Sequence, residues 1–190
     1  MRDRQLRTTR RVSVSSTGAQ VLNHSGLGGV AISADGRYVA FESHAIGLVV
    51  NDTNGFDDIF VHDRHSGATR RVSLGRGGAQ VRGASFFPAL SADARYVAFA
   101  SEAPDLVSGD TNGTTDVFVH DRQGGVTARS SVGPGGVQGS MPSGRYGVAI
   151  SADGRFAAFA ADTPEVVPGD TNSTTDVFVR DRVGGRTERV

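Results

Sequence analysis

The chain has 190 residues, and its twenty basic side chains, all of them arginine, are balanced by twenty acidic ones. This balance leaves no net field to steer the protein toward nucleic acid or an anionic membrane, and the absence of cysteine excludes disulfides and thiolate metal sites. No run of eighteen apolar residues predicts a membrane span, and Met1–Arg7 lacks the apolar core of a secretory signal peptide.

An internal repeat of about sixty residues organises the chain. Its first block is Ser-Ala-Asp-Gly, or Ser-Ala-Asp-Ala in the second copy, followed by Arg and a mostly apolar run. The serines that open this block are 58 and 60 residues apart: Ser33, Ser91 and Ser151. Its second block begins Asp-Thr-Asn and ends in the apolar run Asp-Ile/Val-Phe-Val, with starts at Asp52, Asp110 and Asp170.

In chain order, residues 1–14 come first and are predicted to be a leading strand that completes a preceding unit. The prediction rests on the alignment of residues 1–4 with 61–64 and of Thr9–Ser13 with Thr69–Ser73. Three repeat units then follow, with predicted bounds 15–74, 75–131 and 132–190.

Each unit is predicted to hold four short β-strands, a to d. In the second copy they lie near Phe87–Ser91, Arg95–Ser101, Asp116–Arg122 and Val126–Ser131. Asp-Gly between strands a and b is a tight-hairpin signal, because glycine accepts a positive φ without a steric penalty. Ala94 replaces that glycine in the second copy, and we expect it to cost up to ~1 kcal/mol there.

Strands b and c are apolar on both faces, so the sheets must be covered on both sides. No segment between the strands carries a helical period. The sequence therefore predicts an all-β fold, a β-propeller made of four-stranded antiparallel blades with three blades in this chain. Closed propellers have about four to eight blades, so we expect half or a fragment of a six-bladed or larger propeller. A homodimer could close a six-bladed ring, but residues 1–14 would make one strand redundant, which favours a longer parent.

Ser-Ala-Asp-Gly-Arg-Tyr-Val-Ala-Phe at 33–41, with Asp-Val-Phe-Val-His-Asp-Arg at 116–122, resembles the TolB-like (WD-repeat-like) propeller repeat. The resemblance implies a non-catalytic bacterial scaffold or binding module for a protein or glycan ligand, in the periplasm or outside the cell. It leaves two alternatives open: an accessory propeller of a secreted hydrolase or peptidase, and a self-assembling half-propeller. The long segment between strands b and c departs from the family pattern.

The segment before strand c offers oxygen ligands of the kind that calcium prefers. Its aspartates and asparagine recur in all three copies, and the predicted ligands are Asp52, Asn54, Asp58, Asp110, Asn112, Asp116, Asp170, Asn172 and Asp176. The alternative is an Asx-turn that orders the loop and leads the chain into the strand. Recurrence does not separate these interpretations, because structural turns repeat as well.

The remaining candidate residues, which are aspartates beside arginine, histidines and known catalytic motifs, do not predict a catalytic site. Asp63, Asp121 and Asp181 are each followed by arginine and are predicted to brace the turn between strands c and d. The five histidines show no zinc-ligand spacing, and neither a Gly-x-Ser-x-Gly elbow nor His-Glu-x-x-His occurs. Every cluster of carboxylates follows the repeat, so the sequence predicts a protein that is not an enzyme.

Overall fold

In the computed structural model, which describes residues 1–2, 4–5, 7–172 and 174–190, the chain forms three four-stranded antiparallel sheets. The first contains β1 (Ser25–Ile32), β2 (Tyr38–Ser43), β3 (Asp58–Asp63) and β4 (Thr69–Arg71). The second contains β5 (Ser85–Leu90), β6 (Tyr96–Ser101), β7 (Asp116–Asp121) and β8 (Val126–Arg129). The third contains β9 (Ser143–Ile150), β10 (Phe156–Ala161), β11 (Asp176–Asp181) and β12 (Arg186–Arg189).

Helix is confined, in the described residues, to short 3₁₀ segments at Arg76–Gly78, Pro134–Gly136 and Pro164–Val166. None of the helices found there is long and apolar enough to cross a membrane. Strands follow one another in chain order across each sheet. The predicted all-β fold, with three blades of a partial propeller, is therefore confirmed.

The turn between the first two strands of each blade is closed by its own side chains. In the first blade, the Ser33 hydroxyl donates to Asp35 Oδ1 (2.6 Å), and Asp35 Oδ1 accepts from the Arg37 backbone N–H (2.9 Å). Gly36 has φ +70° there, and Ala94 takes the same left-handed conformation with φ +56° in the second blade. The fourth position of the Ser-x-Asp-Gly motif is therefore one where the turn requires a left-handed backbone conformation.

At each of the two internal interfaces, stacking buries the facing sides of the two neighbouring blades. Ala40, Ile59 and Val61 of the first blade belong to one core cluster with Val97 and Phe99 of the second. The apolar character of strands b and c on both faces is explained by this packing. The turns meet as well: the Ala34 backbone N–H donates to Ala92 O, and the Ala92 N–H donates to Ala152 O, each at 2.9 Å.

An arginine of each following blade covers an aromatic ring of the blade before it. The Arg122 guanidinium carbon lies 4.6 Å from the centroid of the Tyr38 ring, and that of Arg182 lies 4.6 Å from the Tyr96 centroid. Arg37 of the same blade also lies over the Tyr38 ring, with its guanidinium carbon 4.8 Å from the centroid. Cation–π contacts of this kind add to apolar burial in joining the blades.

The first residues pair with one another rather than forming a named strand among those described. Arg2 bridges Thr9 in the register that His62 and Thr69 use in the first blade. Asp3, part of the aligned segment 1–4, lies outside the described residues, as does Ser173 of the third Asp-Thr-Asn loop. Each sheet falls inside one predicted unit, and the bounds 1–14, 15–74, 75–131 and 132–190 stay a prediction.

Candidate functional site

The long b–c segments and the segments that enter strand a lie at the same end of the blade stack. Register places them there, because Ser43 at the end of β2 pairs with both Ser25, which starts β1, and Asp58, which starts β3. We call this region the loop end; it comprises residues 15–24, 44–57, 75–84, 102–115, 133–142, 162–172 and 174–175.

In the first blade, the loop end is organised around a buried arginine. Arg71 Nη1 donates to Asp52 Oδ1 (3.0 Å), Asp58 Oδ2 (2.9 Å) and Gln80 Oε1 (3.1 Å). The Ser73 hydroxyl donates to the second oxygen of Asp58 at 2.5 Å. Charge-assisted hydrogen bonds such as these offset the cost of burying the carboxylates.

The second blade repeats this arrangement. Arg129 Nη1 donates to Asp110 Oδ1 (3.1 Å), Asp116 Oδ2 (2.9 Å) and Gln138 Oε1 (2.7 Å). Ser131 donates to the second oxygen of Asp116 at 2.5 Å. We call each such group an arginine network.

The arginine network of the third blade is looser. Arg189 Nη1 lies 2.9 Å from Asp170 Oδ1 and 3.4 Å from Asp176 Oδ2. The Arg189 side chain is 38 % exposed, whereas those of Arg71 and Arg129 are buried. Gln80 and Gln138 belong to the segment that enters the following blade, and no described glutamine fills that place beside Asp170.

The networks of the first and second blades also fasten their loops to the next blade. Gln80 Oε1 accepts from the backbone N–H of Thr53 (3.0 Å), and Gln138 Oε1 accepts from that of Thr111 (3.0 Å). Asn54 Nδ2 donates to Asp58 Oδ2 (3.1 Å) and across the interface to Val81 O (3.2 Å).

Asn112 repeats this bridge, and Asn172 makes a local turn instead. Asn112 Nδ2 donates to Asp116 Oδ2 (3.0 Å) and to Gly139 O of the following segment (2.9 Å). Asn172 Oδ1 accepts from the Thr174 backbone N–H at 3.2 Å. The asparagines therefore act as loop fasteners in this structure.

Among the nine predicted calcium ligands, the two aspartates of each set are thus joined by an arginine. Asn54 and Asn112 also bond to a carboxylate of their own set, whereas Asn172 bonds instead to the Thr174 backbone N–H. Burial raises the pKa of Asp52 and of Asp110. Within the described parts of the chain, no three histidine, aspartate or glutamate side chains form a group that could hold a metal ion. Calcium also uses asparagine and backbone oxygens, which these loops contain, so calcium binding stays a prediction.

The aspartates predicted to brace the c–d turn do so and reach further. Asp121 Oδ1 accepts from the Gln123 backbone N–H at 2.9 Å, which closes the turn. Both Asp121 oxygens also accept from Arg95, at 3.0 and 2.7 Å, and this pairing is the main cause of the lowered pKa of Asp121. Asp63 and Asp181 repeat the arrangement with Arg37 and Arg155.

His62 and His120 have a structural role. His62 Nδ1 lies 2.9 Å from the Thr69 hydroxyl, and His120 Nδ1 lies 3.0 Å from that of Thr127. Burial lowers the pKa of both histidines. Arg180, which replaces them in the third blade, donates to the equivalent Thr187 at 3.2 Å.

A cluster that departs from the repeat escaped the sequence analysis. His24 and His44 both place Nδ1 3.8 Å from Asp57 Oδ1, and their rings stack with centroids 5.6 Å apart. Burial raises the pKa of the nearby Glu42, which also feels the charge of Asp57. The corresponding residues differ in the other blades: Ala84, Ala100, Glu102 and Thr115, then Pro142, Ala160, Asp162 and Thr175.

That departure is the signal that could have found the cluster. His24 precedes β1, His44 follows β2 and Asp57 precedes β3, so adjacent strand ends bring them together. A comparison of the copies for differences, rather than for shared residues, would have placed these positions in one blade. Their proximity depends on strand register, which the spacing of the histidines alone does not give.

Comparison with known proteins rests on structure, since no protein-family model and no curated protein matches the chain. The structure of a putative TolB from Agrobacterium tumefaciens superposes with a TM-score of 0.52 and 19 % identity, over 85 % of this chain and 44 % of that one. The fold is that of a TolB-like β-propeller.

This TolB-like fold also matches propellers of peptidases. Dipeptidyl peptidase 4 from Porphyromonas gingivalis matches with a TM-score of 0.50 and 16 % identity, over 90 % of this chain and 25 % of that one. An acylaminoacyl peptidase matches with a TM-score of 0.51 and 12 % identity, over 87 % and 25 %. At these identities the likeness shows the TolB-like fold alone, and the chain spans less than half of each matched structure.

Proposed function

We propose that this chain is a non-catalytic propeller module that binds a protein partner through its loop end. The observation that carries the proposal is the arginine network repeated in each blade. Its carboxylates, the most prominent acidic groups of the loops, are engaged by a guanidinium and hydrogen-bonded on both sides. Groups held in this way stiffen a loop, and the carboxylates of the networks are not free to act as a general acid or base.

The rigid loops present apolar side chains to solvent, which favours a protein over a glycan as ligand. Exposed apolar residues at the loop end are Leu22, Ile46, Val50, Phe56, Val137 and Met141. Binding residues are commonly placed on loops that a rigid scaffold positions, and four of these six apolar residues, Leu22, Ile46, Val50 and Phe56, belong to the loop segments of the first blade.

A selection of phage-displayed random peptides tests this proposal directly. We expect peptides selected on the wild-type chain to lose at least about tenfold in affinity, equivalent to ~1.4 kcal/mol, on Val50→Asp or Phe56→Asp. The matched control is Val183→Asp, which changes an equally exposed valine in the c–d turn at the opposite end of the stack. Peptides that bind all four proteins alike, or that are lost only with the control, would overturn the proposal.

Calcium and arginine are alternatives for the same loop oxygens. A calcium ion at Asp110, Asn112 and Asp116 must share or displace Arg129. The melting temperature in millimolar calcium, compared with chelator and with magnesium, separates the alternatives. A native-state ligand at a hundred times its Kd adds about 2.7 kcal/mol, so a calcium-specific rise supports calcium-ordered loops and an unchanged midpoint supports arginine alone.

The second candidate is an accessory propeller of a secreted hydrolase or peptidase. Its support is the match to the two peptidase structures, of which this chain covers 25 % each. The coding sequence beyond residue 190 decides it: a hydrolase domain there favours this role, and further repeats alone favour the binding module. For either role we propose a location outside the cytoplasm, on the resemblance to TolB-like repeats.

A further inference from the structure

The two ends of the blade stack expose opposite halves of the contact that joins the blades internally. On the third blade, the outward face contains Phe156, Ala158, Val177 and Val179, and we call it the forward face. Val177 is 48 % exposed, whereas its counterparts Ile59 and Val117 are fully buried against the next blade. The equivalent apolar faces of the first and second blades are both covered by the blade that follows.

The first blade exposes the complementary half, which we call the rear face. Val30 and Ile32 on β1 are 68 % and 51 % exposed. Leu90 and Ile150, which correspond to Ile32, are half-buried and pack at the internal interfaces. The rear face of the first blade is therefore open at β1, where the rear faces of the others receive a neighbour, whereas Val39, Phe41 and Phe60 on strands β2 and β3 of the same face are buried.

The cation–π contacts between blades also lack one partner at each end of the stack. Arg122 Nη1 donates to Ala94 O (2.7 Å) while its guanidinium covers Tyr38. Arg64 Nη1 donates to Gly36 O (2.6 Å) in the same way, but no described ring lies under it. Phe156 has Arg155 on one side, at 4.9 Å, and lacks the second arginine that Tyr38 and Tyr96 receive.

Polar fastenings complete the match. At the internal interfaces, Gln80 and Gln138 reach the loop of the preceding blade. Gln20 is their counterpart; its Oε1 accepts from Arg11 of the leading segment, whose place Arg189 of a second copy would take, and the loop at Asp170 lacks such a glutamine among the described residues. The a–b turns of successive blades are joined by one backbone hydrogen bond each. In the last of these bonds the Ala152 carbonyl accepts from the Ala92 N–H, so the Ala152 N–H is left to donate to the turn of a further blade.

We propose that a second copy of this chain supplies the missing half at each end. The rear face of one copy packs on the forward face of the other, Arg64 covers Phe156 of the partner copy, and Gln20 fastens its Asp170 loop. Two such contacts, related by a twofold axis, close a ring of six blades, within the range that propellers use. The inference needs no other protein and is independent of the proposed peptide-binding role.

The paired residues at the start of the chain occupy the place that this second copy needs. Arg2 and Thr9 pair as His62 and Thr69 do, and the Met1 side chain lies against Gly36. The outer strand β12 of the partner copy therefore replaces the Met1–Arg10 pairing. We expect faster amide hydrogen exchange at Arg10, whose N–H donates to Met1 O, in the dimer than in the monomer.

Light scattering after size exclusion, over a wide concentration range, tests the proposal with charge variants. We expect a species of twice the 19.8 kDa chain mass. Phe156→Arg opposes a cation to Arg64 and should weaken the dimer at least about tenfold, or ~1.4 kcal/mol. Adding Arg64→Glu to that variant should restore much of the affinity. Val183→Arg, on an exposed turn, is the control and should leave the dimer unchanged.

Three results would overturn the proposal. The wild-type chain could keep the mass of one copy at every concentration, or it could form an open series of larger species. The dimer could also tolerate Phe156→Arg as well as it tolerates Val183→Arg, which would place the contact elsewhere. Melting curves of each variant show that the blades remain folded, because Phe156 lies at the rim of the stack and is 38 % exposed.

Discussion

A single arginine holds together the acidic side chains of each loop, and in the first two blades this arginine is buried. Arg129 bonds to Asp110 and Asp116, and all three side chains are less than 10 % exposed. Removal of one partner from a buried ionic group leaves an uncompensated charge, which costs about 3–5 kcal/mol. We therefore expect Arg129→Met to lower the free energy of unfolding by that amount in urea titrations.

The third blade supplies the matched control for this change. Arg189 serves the same network but is 38 % exposed, and Asp176 is 21 % exposed where Asp116 is 1 % exposed, although Asp170 is as buried as Asp110. Water already solvates part of this network, and ion pairs that are exposed contribute only about 0–1 kcal/mol, so Arg189→Met should cost clearly less than Arg129→Met. Equal losses for the two variants would contradict a burial-dependent role for the arginine.

Glu42 is a buried acid whose ionised form is poorly compensated. Its Oε1 accepts from the Gly28 backbone N–H at 2.7 Å, but its buried Oε2 has no hydrogen-bond partner. Burial raises the pKa of Glu42 above the ordinary 4.5. The folded state therefore holds its proton more tightly than the unfolded state, and this carboxyl lowers stability progressively as the pH rises above 4.5.

Glu42→Gln should relieve that cost. We expect the variant to be more stable than the wild type at pH 7, by about 1 kcal/mol, and the gain to vanish as the pH falls below 4.5. Melting temperatures of both proteins between pH 3.5 and 7.5 measure the difference. A gain that is independent of pH would show that it does not come from the charge of Glu42, and a loss at pH 7 would show that the ionised carboxylate is stabilised by its neighbours; either result would contradict this account.

At the scale of the hairpin, the a–b turns differ in how much room they leave beside the left-handed residue. A Cβ at Gly36 would have no neighbour closer than 3.7 Å, so Gly36→Ala should cost only the conformational ~1 kcal/mol. At Gly154 a Cβ would lie 2.0 Å from the Tyr96 ring. Gly154→Ala should therefore cost up to about 3 kcal/mol in equilibrium unfolding; equal costs would contradict the close packing of this turn on the second blade.

The elements that could be predicted from the sequence are those with local causes. Strands β5 to β8 fall within two residues of the predicted starts because apolar runs and turn residues mark them. Ala94 was correctly expected to share the conformation of the turn glycines. The Arg71 network was missed because its arginine lies on strand d and its glutamine in the entry to the next blade, and only strand pairing brings these to the loop.

At the scale of the whole molecule, the blades act as one stack because each interface repeats the same few contacts. Apolar faces, a backbone hydrogen bond between turns and an arginine over an aromatic ring recur between successive blades. The need for stacking could be predicted from apolar faces on both sides of each sheet. Which side chains cross the interface could not, since residues 38 and 122 belong to different repeats.

A double-mutant cycle across the first interface tests the stacked arrangement most directly. Tyr38→Leu, Arg122→Met and the double variant would be unfolded in urea, and the coupling free energy between the two positions calculated. The Arg122 guanidinium lies 4.6 Å from the Tyr38 centroid, so we predict a favourable coupling of about 0.5–2 kcal/mol. Strictly additive effects would show that these blades do not meet as described and would contradict the propeller stack.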